Sequence, residues 1–232
     1  MKRLISSILA AGFFCASPVL AQDRVVVVEL FTSQGCSSCP PADEILSELS
    51  KRDDVIALAL HVDYWDYIGW KDRFANPNHA ARQRAYAAAS GRKSIYTPEM
   101  IINGKTDVVG AKPMAVSQAI AKHKSDPVIV DLNLERAGAK LQISAKAREG
   151  AKSPYTVHML RYRPMASTEI KRGENAGHTL EYSNIAENWA VLGNWDTSTP
   201  LSLSAQLPGD LPVVVLIQQI GSGPIVAAAR LR

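Results

Sequence analysis

The chain has 232 residues, a length that fits one large domain or two modest ones. Hydrophobic residues make up 47% and charged residues 21%, which is typical of a folded soluble protein and excludes a wholly disordered chain or a fibrous repeat. The formal net charge of +4 includes two cations, Lys2 and Arg3, in a segment that we expect to be removed. The remainder is close to neutral, so the charge gives no reason to expect nucleic acid or an anionic membrane as a partner.

The first segment has the features of a signal peptide. Basic residues at the start are followed by an uncharged apolar run from Leu4 to Leu20, and a polar stretch begins at Gln22. This pattern predicts a signal peptide over residues 1–21, cleaved after Ala21. An apolar run of roughly 17 residues is at the lower limit for a permanent membrane anchor. We therefore expect a mature protein in the periplasm or secreted, with no membrane span after signal cleavage.

Residues 22–126 predict alternating strands and helices. A continuous β-branched run before Cys36 is typical of a strand covered on both faces, and Pro40 opens a helix with acids in its first turn. Asn103-Gly104 between two short apolar runs indicates a hairpin. The predicted elements, in chain order, are a strand at 24–31, a helix after Pro41, a strand at 55–62, a helix at 77–90, hairpin strands at 99–102 and 106–109, and a helix at 112–124. The fold class of this part is therefore α/β, with parallel strands and one antiparallel hairpin.

From Asp126 onward the hydrophobic pattern changes to a period of two. Residues 128–135 and 141–148 alternate apolar with polar side chains, and residues 213–217 are apolar throughout. Alternation with turn residues between the segments predicts an all-β antiparallel sandwich of roughly seven or eight strands, which we assign to residues 127–232. We expect the α/β domain and the sandwich domain to pack closely, because no flexible linker separates them.

Cys36 and Cys39 form a Cys-x-x-Cys motif at the start of the first predicted helix, and no other cysteine remains after signal cleavage. Three interpretations compete. A structural disulfide of this span would restrict the unfolded chain little, by about 2 kcal/mol or less. A zinc site needs further ligands, and the sequence has no second cysteine pair and no paired histidines. A redox dithiol is favoured, because the positive end of a helix dipole lowers the pKa of a nearby thiol.

Four longer motifs carry a resemblance to a known family. They read ELFTSQGCSSCPPAD, HVDYWDYIGWKD, ARQRAY and YTPEMIINGK. With them, the chain is identified as a member of an exported bacterial thioredoxin-like family of unknown function. The likeness to thioredoxin-like proteins covers residues 24–125. It rests on the strand before Cys36, the helix after Cys39, and the Tyr96-Thr97-Pro98 segment that opens a later strand. The family implies no established reaction.

The thioredoxin resemblance implies roles for individual residues. Cys36 would be the exposed attacking thiol, and Cys39 the more buried resolving thiol. The Thr97–Pro98 peptide bond would be cis and would face the dithiol. Thioredoxins keep a buried acid that moves the proton of the second cysteine, and Glu29, near the end of the first strand, is our candidate for that role. No cofactor is implied.

A polar and aromatic segment follows the second predicted strand. Because parallel strands end at the same edge of a sheet, this segment should lie beside Cys36. It supplies a candidate substrate groove formed by His61, Asp63, Tyr64, Trp65 and Asp66. Alternatively, the aromatic side chains belong to the core and His61 is a structural histidine.

The leading functional hypothesis is an exported thiol–disulfide oxidoreductase. Its partners would be protein thiols or disulfides and an unknown redox partner, and Cys36 and Cys39 would carry the exchange. One alternative is a periplasmic carrier of copper(I), an ion that thiolates suit, with His61 as a further ligand. Another is a binding module with an idle disulfide, in which the sandwich is the working surface.

Overall fold

The computed structural model describes residues 24–152 and 154–232. The predicted signal peptide lies outside the described residues. In the described part of the chain, no helix combines the length and the apolarity needed to cross a membrane. The elements follow the order β1 (Val26–Thr32), α1 (Pro40–Ser50), β2 (Val55–His61), a short 3-10 helix (Asp66–Ile68), α2 (Pro77–Ala89), β3 (Glu99–Ile102), β4 (Thr106–Val109), α3 (Pro113–Lys124), β5 (Val130–Ala137), β6 (Lys140–Ala147), β7 (Tyr155–Glu169), β8 (Thr179–Trp195), β9 (Leu201–Gln206), β10 (Val213–Gln219) and β11 (Ile225–Leu231).

The strands and α-helices up to α3 appear in the order that the sequence predicts, and their ends lie within about two residues of the expected ones. Each α-helix begins at a proline, namely Pro40, Pro77 and Pro113. Proline suits the first turn of a helix, because its missing N–H is one that the helix does not use. The helix starts were therefore readable from the sequence.

Eight strands form one mixed sheet in the order β11-β10-β7-β8-β2-β1-β3-β4, and β5-β6-β9 form a three-stranded sheet. β1 runs parallel to β2 and antiparallel to β3. β8 pairs in parallel with β2 at Ala59 and Ile185. The large sheet therefore contains strands from both halves of the chain.

The second half differs in one respect from the predicted antiparallel sandwich. It does form two layers, because the three-stranded sheet packs on β7, β10 and β11 through a core that includes Leu141, Tyr155 and Val215. One of these layers, however, continues the central sheet, and β8 is parallel to its neighbour β2. The physical reason is that β2 is buried along its whole length, so its outer edge needs a hydrogen-bonded strand. The division into separate domains at residue 126 stays a prediction.

The central strands bury both faces of the sheet. Side chains alternate across β1, so that Val28 and Leu30 pack with α1 and α3, whereas Phe31 packs with α2. We call these two sides the α1 face and the α2 face. Thr32 and His61, which are paired at the ends of β1 and β2, continue the α1 face. The first turn of α1 lies over this end of the sheet.

Candidate functional site

Cys36 and Cys39 form a disulfide at the N-terminal end of α1, with their Cα atoms 5.4 Å apart. Cys39 is the N-cap residue of the helix, and its backbone N–H donates to the carbonyl of Cys36. Only 1% of Cys36 and 0% of Cys39 is exposed, whereas Ser37 and Ser38 between them are exposed. This differs from the expected exposed Cys36, because other segments of the chain cover the two sulfur atoms.

The segment before β3 lies against the disulfide. The Thr97–Pro98 peptide bond is cis, as the resemblance implies. The Thr97 hydroxyl donates to Cys36 Sγ over 3.3 Å and accepts a hydrogen bond from the Trp65 indole N–H at 2.7 Å. Glycine at position 35 permits this approach, because a Cβ on Gly35 would lie 3.2 Å from the Trp65 Cβ. Trp65, Thr97 and Cys36 thus form one chain of hydrogen bonds.

A loop from the second half of the chain covers the disulfide. It joins β7 to β8 over residues 170–178, and we call it the cap loop. The Asn175 side-chain amide donates to the carbonyl of Gln34 at 2.9 Å and to the carbonyl of Cys36 at 3.0 Å. The Glu174 carboxylate accepts the backbone N–H of the residue after Cys36 at 3.3 Å. Asn175 is only 6% exposed, so the cap loop is anchored in the Cys-x-x-Cys turn.

A buried pair of polar side chains lies on the α1 face, at the same edge of the sheet as the disulfide. His61 Nδ1 and Asp72 Oδ2 are 2.7 Å apart, and both side chains are fully buried. Asp72 also accepts the backbone N–H groups of Gln34 at 2.8 Å and Phe74 at 2.9 Å. Burial acts to raise the pKa of Asp72, but the His61 ring and the N–H donors outweigh it and hold this pKa below its usual range. Asp72 is therefore a carboxylate, and His61 Nδ1 is the hydrogen-bond donor.

Asp43 lies in the first turn of α1, four residues after Cys39 and on the same side of the helix. The Thr32 hydroxyl donates to Asp43 Oδ2 at 3.1 Å. Burial raises the pKa of Asp43 to about 7, although His61 and the Thr32 hydrogen bond act to lower it. Unlike an ordinary carboxyl, Asp43 therefore gains and loses its proton near neutral pH.

We call Thr32, Asp43, His61, Asp72 and Tyr182 the Asp43 cluster. The Tyr182 ring reaches it from β8 and packs edge-on against His61, with ring centres 4.7 Å apart. Three atoms of the cluster, Asp43 Oδ1, His61 Nε2 and Tyr182 Oη, have no hydrogen-bond partner within the described residues. Buried polar groups are almost always paired, and the exceptions mark catalytic or redox groups, strain, or bound solvent. The Asp43 cluster is therefore a candidate for proton exchange beneath the disulfide.

Glu29, the acid that the sequence suggested for this role, lies on the α2 face instead. Its carboxylate accepts hydrogen bonds from Arg82 at 2.6 and 3.3 Å and from the Tyr86 hydroxyl at 2.6 Å. Its neighbours Val27 and Phe31 on the same face pack against α2. The structure therefore does not bring Glu29 to the disulfide, and its contacts are those of a buried ion pair.

The candidate groove residues do not share one environment. His61 is wholly buried in the Asp43 cluster. Tyr64 donates to Gln83 at 3.1 Å, and Asp66 accepts the backbone N–H of Asp72 at 3.1 Å. Asp63 is half-buried, and its backbone carbonyl accepts the N–H of Asp66. The structure brings the Trp65 indole N–H into the hydrogen-bond chain that ends on the disulfide, and the Tyr64 hydroxyl also interacts with Thr97.

Metal chemistry gains no support from the geometry. In residues 24–152 and 154–232, no group of three or more His, Cys, Asp or Glu side chains is arranged to hold a metal ion. The thiols that copper(I) would need are joined in the disulfide, and His61 is engaged with Asp72.

Sequence reasoning missed several residues of the site, Thr32 and Glu174 among them, and a clear local signal existed for Asp43. Asp43 follows Cys39 by four residues in a predicted helix, a spacing that puts both side chains on one side. Asp72 carries no comparable signal. Asn175 and Tyr182 come from β7–β8, and only the long-range pairing of β8 with β2 brings them to the disulfide.

A crystal structure of a protein from Agrobacterium tumefaciens is 31% identical, covers 91% of this chain and 96% of its own, and superposes with a TM-score of 0.78. HBP35 of Porphyromonas gingivalis shares the fold at 17% identity, with 91% of this chain and 76% of that one covered and a TM-score of 0.64. No match was found among curated proteins.

A protein-family model described as "Protein of unknown function (DUF1223)" matches residues 27–218, a range that includes the disulfide, the Asp43 cluster and the cap loop. The chain therefore belongs to the DUF1223 family of proteins of unknown function.

Proposed function

We propose that the protein is an exported thiol–disulfide oxidoreductase, in which a thioredoxin-like domain over residues 22–126 exchanges disulfides with protein substrates. The observation that carries the proposal is the setting of the Cys36–Cys39 disulfide. It lies at a helix N-terminus, next to the Thr97 hydroxyl and one helical turn from the buried Asp43 carboxyl. A purely structural bridge needs none of these neighbours.

The helix supports a reactive thiolate at this position. The dipole of α1 directs its positive end toward the Cys36–Cys39 turn, and this favours the charged form of a thiol. The Thr97 hydroxyl adds a hydrogen bond to Cys36 Sγ. Hydrogen bonds to a charged acceptor are stronger than those to a neutral one, so the contact gains strength when the disulfide is reduced.

Exchange with a client dithiol moves two electrons and needs no cofactor. A client thiolate attacks Cys36 Sγ, the Cys36–Cys39 bond breaks, and Cys39 leaves as a thiolate that takes up a proton. A second client thiolate then attacks the client sulfur of the mixed disulfide, and Cys36 leaves as a thiolate. The client dithiol is oxidised and the protein disulfide is reduced. The reverse sequence reduces a client disulfide, and the two reduction potentials decide the direction.

Asp43 is the proton donor to Cys39 in this scheme, and the proton acceptor in the reverse direction. It is one helical turn from Cys39, and its Oδ1 has no partner within the described residues. A group that transfers protons works best when its pKa lies near the working pH, and burial raises the pKa of Asp43 to about 7. The His61–Asp72 pair beside it supplies a fixed polar environment.

The cap loop controls access in the same scheme. Both cysteines are at or near 0% exposure, and the cap loop contacts the backbone of the turn that holds them, so movement of this loop would open a path for a client sulfur. Two hydrogen bonds from Asn175 hold it in place. Glycines with positive φ, Gly173 at 81° and Gly177 at 85°, flank Asn175 and give the loop backbone freedom on both sides.

Trapping variants test the function. Cys39→Ser should accumulate a mixed disulfide with a peptide that carries an internal disulfide, because the Cys36 thiolate attacks that disulfide, one peptide sulfur leaves as a thiolate, and the resolving thiol is missing. Cys36→Ser should not, because the scheme assigns the attack to Cys36, whose Sγ accepts the Thr97 hydrogen bond. Non-reducing mass spectrometry of folded variants provides the measurement. If neither variant forms a mixed disulfide, the disulfide is idle and the chain is a binding module. If Cys36→Ser traps the peptide as well as Cys39→Ser does, the assigned roles are wrong.

A further inference from the structure

We infer that Trp65 is a positioning residue for the sulfur of Cys36: its indole N–H orients the Thr97 hydroxyl so that this hydroxyl donates its hydrogen bond to Cys36 Sγ. The inference rests on the proposed function and deepens it, because it names the side chain that sets the acidity of the attacking thiol. It also gives Trp65 a role different from that of a groove wall.

The direction of the hydrogen bonds follows from what each group can do. An indole N–H only donates, whereas a hydroxyl has one proton and two acceptor positions. Trp65 Nε1 lies 2.7 Å from Thr97 Oγ1, so it occupies one acceptor position of the hydroxyl. The Thr97 proton remains to be donated, and Cys36 Sγ lies 3.3 Å away. The chain therefore runs from Trp65 through Thr97 to Cys36.

The surroundings of Trp65 fix the orientation of its ring. Trp65 is the N-cap residue of the 3-10 helix, and its carbonyl accepts the backbone N–H of Ile68. The rings of Tyr64 and Tyr67 pack against it, each with its centre 6.3 Å from the Trp65 ring. Gly35 leaves the space in which the Trp65 segment approaches the disulfide turn. The indole N–H is therefore held in direction before any client binds.

This hydrogen-bond chain acts differently on the two redox states. A disulfide sulfur is a weak acceptor, whereas a thiolate is a charged one, and a bond to it is roughly twice as strong as a neutral bond. Hydrogen bonds in a chain also polarise one another. Trp65 therefore stabilises the thiolate of Cys36, which lowers the pKa of that thiol and makes the reduced protein more stable relative to the disulfide.

The experiment measures the pKa of the Cys36 thiol in fully reduced protein, from the pH dependence of its alkylation rate by iodoacetamide. The redox equilibrium with glutathione is measured in parallel. We expect Trp65→Phe to raise the thiol pKa and to shift the equilibrium about three- to tenfold toward the disulfide, a tenfold shift being about 30 mV for this two-electron couple. Thr97→Val should do the same, and the double variant should show no larger shift than Thr97→Val alone.

Two controls separate this role from a structural one. Thr97→Ser keeps the hydroxyl and should keep the wild-type thiol pKa. Trp195→Phe removes another indole N–H, which donates to the carbonyl of Thr199 at 2.8 Å in the second half, and should leave the thiol pKa unchanged. A side chain that only lined a client groove would change the KM for a client and not the thiol pKa.

An unchanged thiol pKa in Trp65→Phe would overturn the inference, and so would a Trp65→Phe effect that persists in full in the Thr97→Val background. The proposed function can fail separately. If wild-type protein exchanges no disulfide with a dithiol peptide but the pKa of Cys36 still depends on Trp65 through Thr97, the hydrogen-bond chain stands and the oxidoreductase does not.

Discussion

Two buried acidic groups occupy opposite faces of the central sheet, and their hydrogen bonding differs. On the α2 face, both oxygens of Glu29 accept hydrogen bonds from Arg82 or Tyr86. On the α1 face, Asp43 and His61 each keep one buried polar atom without a partner in the described part of the chain. A fully paired network contributes rigidity, whereas an incompletely paired one beneath a disulfide can take up and release protons. The comparison separates a buried acid whose two oxygens are both paired from one that can exchange a proton.

The largest effect should come from breaking the ion pair on the α2 face. Arg82→Met leaves the wholly buried Glu29 carboxylate without its cation, and removing one partner of a buried pair costs about 3–5 kcal/mol of unfolding free energy. The measurement is urea unfolding. Arg84→Met is the matched control, because Arg84 is exposed on the same helix, and we expect a change within about 0.5 kcal/mol. If Arg82→Met shifted the reduction potential of the disulfide strongly and kept its stability, Glu29 would act on the disulfide and not on the fold, which contradicts the account.

The pH dependence of stability should reveal Asp43. Burial raises its folded-state pKa from 3.8 to about 7, so the folded protein binds this proton more tightly than the unfolded chain does. Its stabilising contribution is therefore present in full at acidic pH and is lost as the pH rises from about 4 to about 7, by on the order of 2–4 kcal/mol. Asp43→Asn should remove this slope.

Buried histidines act in the opposite direction over much of the same range, so the wild-type curve alone is insufficient. Burial lowers the pKa of His79 and of His158 to about 4, and both favour the folded state more strongly as the pH rises toward their unfolded values. The quantity to compare is the difference in unfolding free energy between wild type and Asp43→Asn at each pH. A difference that does not vary between pH 4 and 7 would contradict the raised pKa of Asp43.

Loosening the cap loop should speed reduction of the disulfide. Asn175→Ala removes two buried hydrogen bonds, each with a net value of about 0.5–1.5 kcal/mol, so the open form should become about 5- to 160-fold more populated. The rate of reduction by dithiothreitol should rise by a similar factor. Asn133→Ala, at an exposed position on β5, serves as control. A rate equal to that of wild type would show that the cap loop does not limit access.

The smallest expected effect is on the rate of disulfide exchange between the protein and a dithiol peptide. Asp43→Asn cannot give a proton to Cys39, so oxidation of a dithiol peptide should slow by at least about tenfold near neutral pH. Stopped-flow measurements on oxidised protein test this. Glu44→Gln, the adjacent exposed acid on α1, is the matched control. Equal slowing in both variants would assign the effect to the charge of the helix end and not to Asp43.

The order of helices and strands in the first half of the chain was predictable because clear local sequence signals mark these elements. Proline opens every α-helix, and β-branched runs mark β1 and β2. The side of the sheet on which each residue lies was not predictable, because these strands are buried on both faces and show no alternation of apolar and polar side chains. A shift of one residue moves a side chain to the other face, so the position of Glu29 near the end of β1 did not show that it lies on the α2 face.

The segments of the second half that pack against the site were not predictable either, and the reason is different. The cap loop reaches the Cys-x-x-Cys turn, and Tyr182 reaches His61, from the part of the chain around β8, which pairs with β2 through residues 59 and 185. Such long-range pairing leaves no signal in local periodicity. The Cys-x-x-Cys turn and the Thr97–Pro98 segment are separated by about sixty residues, and there the family resemblance supplied what the local pattern lacked.

The reduction potential of the Cys36–Cys39 pair tests the central claim most directly. Protein equilibrated in glutathione or dithiothreitol buffers of graded potential is alkylated, and its mass gives the fraction reduced. We expect one reversible two-electron transition at a potential above about −300 mV, in the range of exchange-active pairs. A disulfide that stays closed below about −300 mV, as structural disulfides of secreted proteins do, would contradict the account.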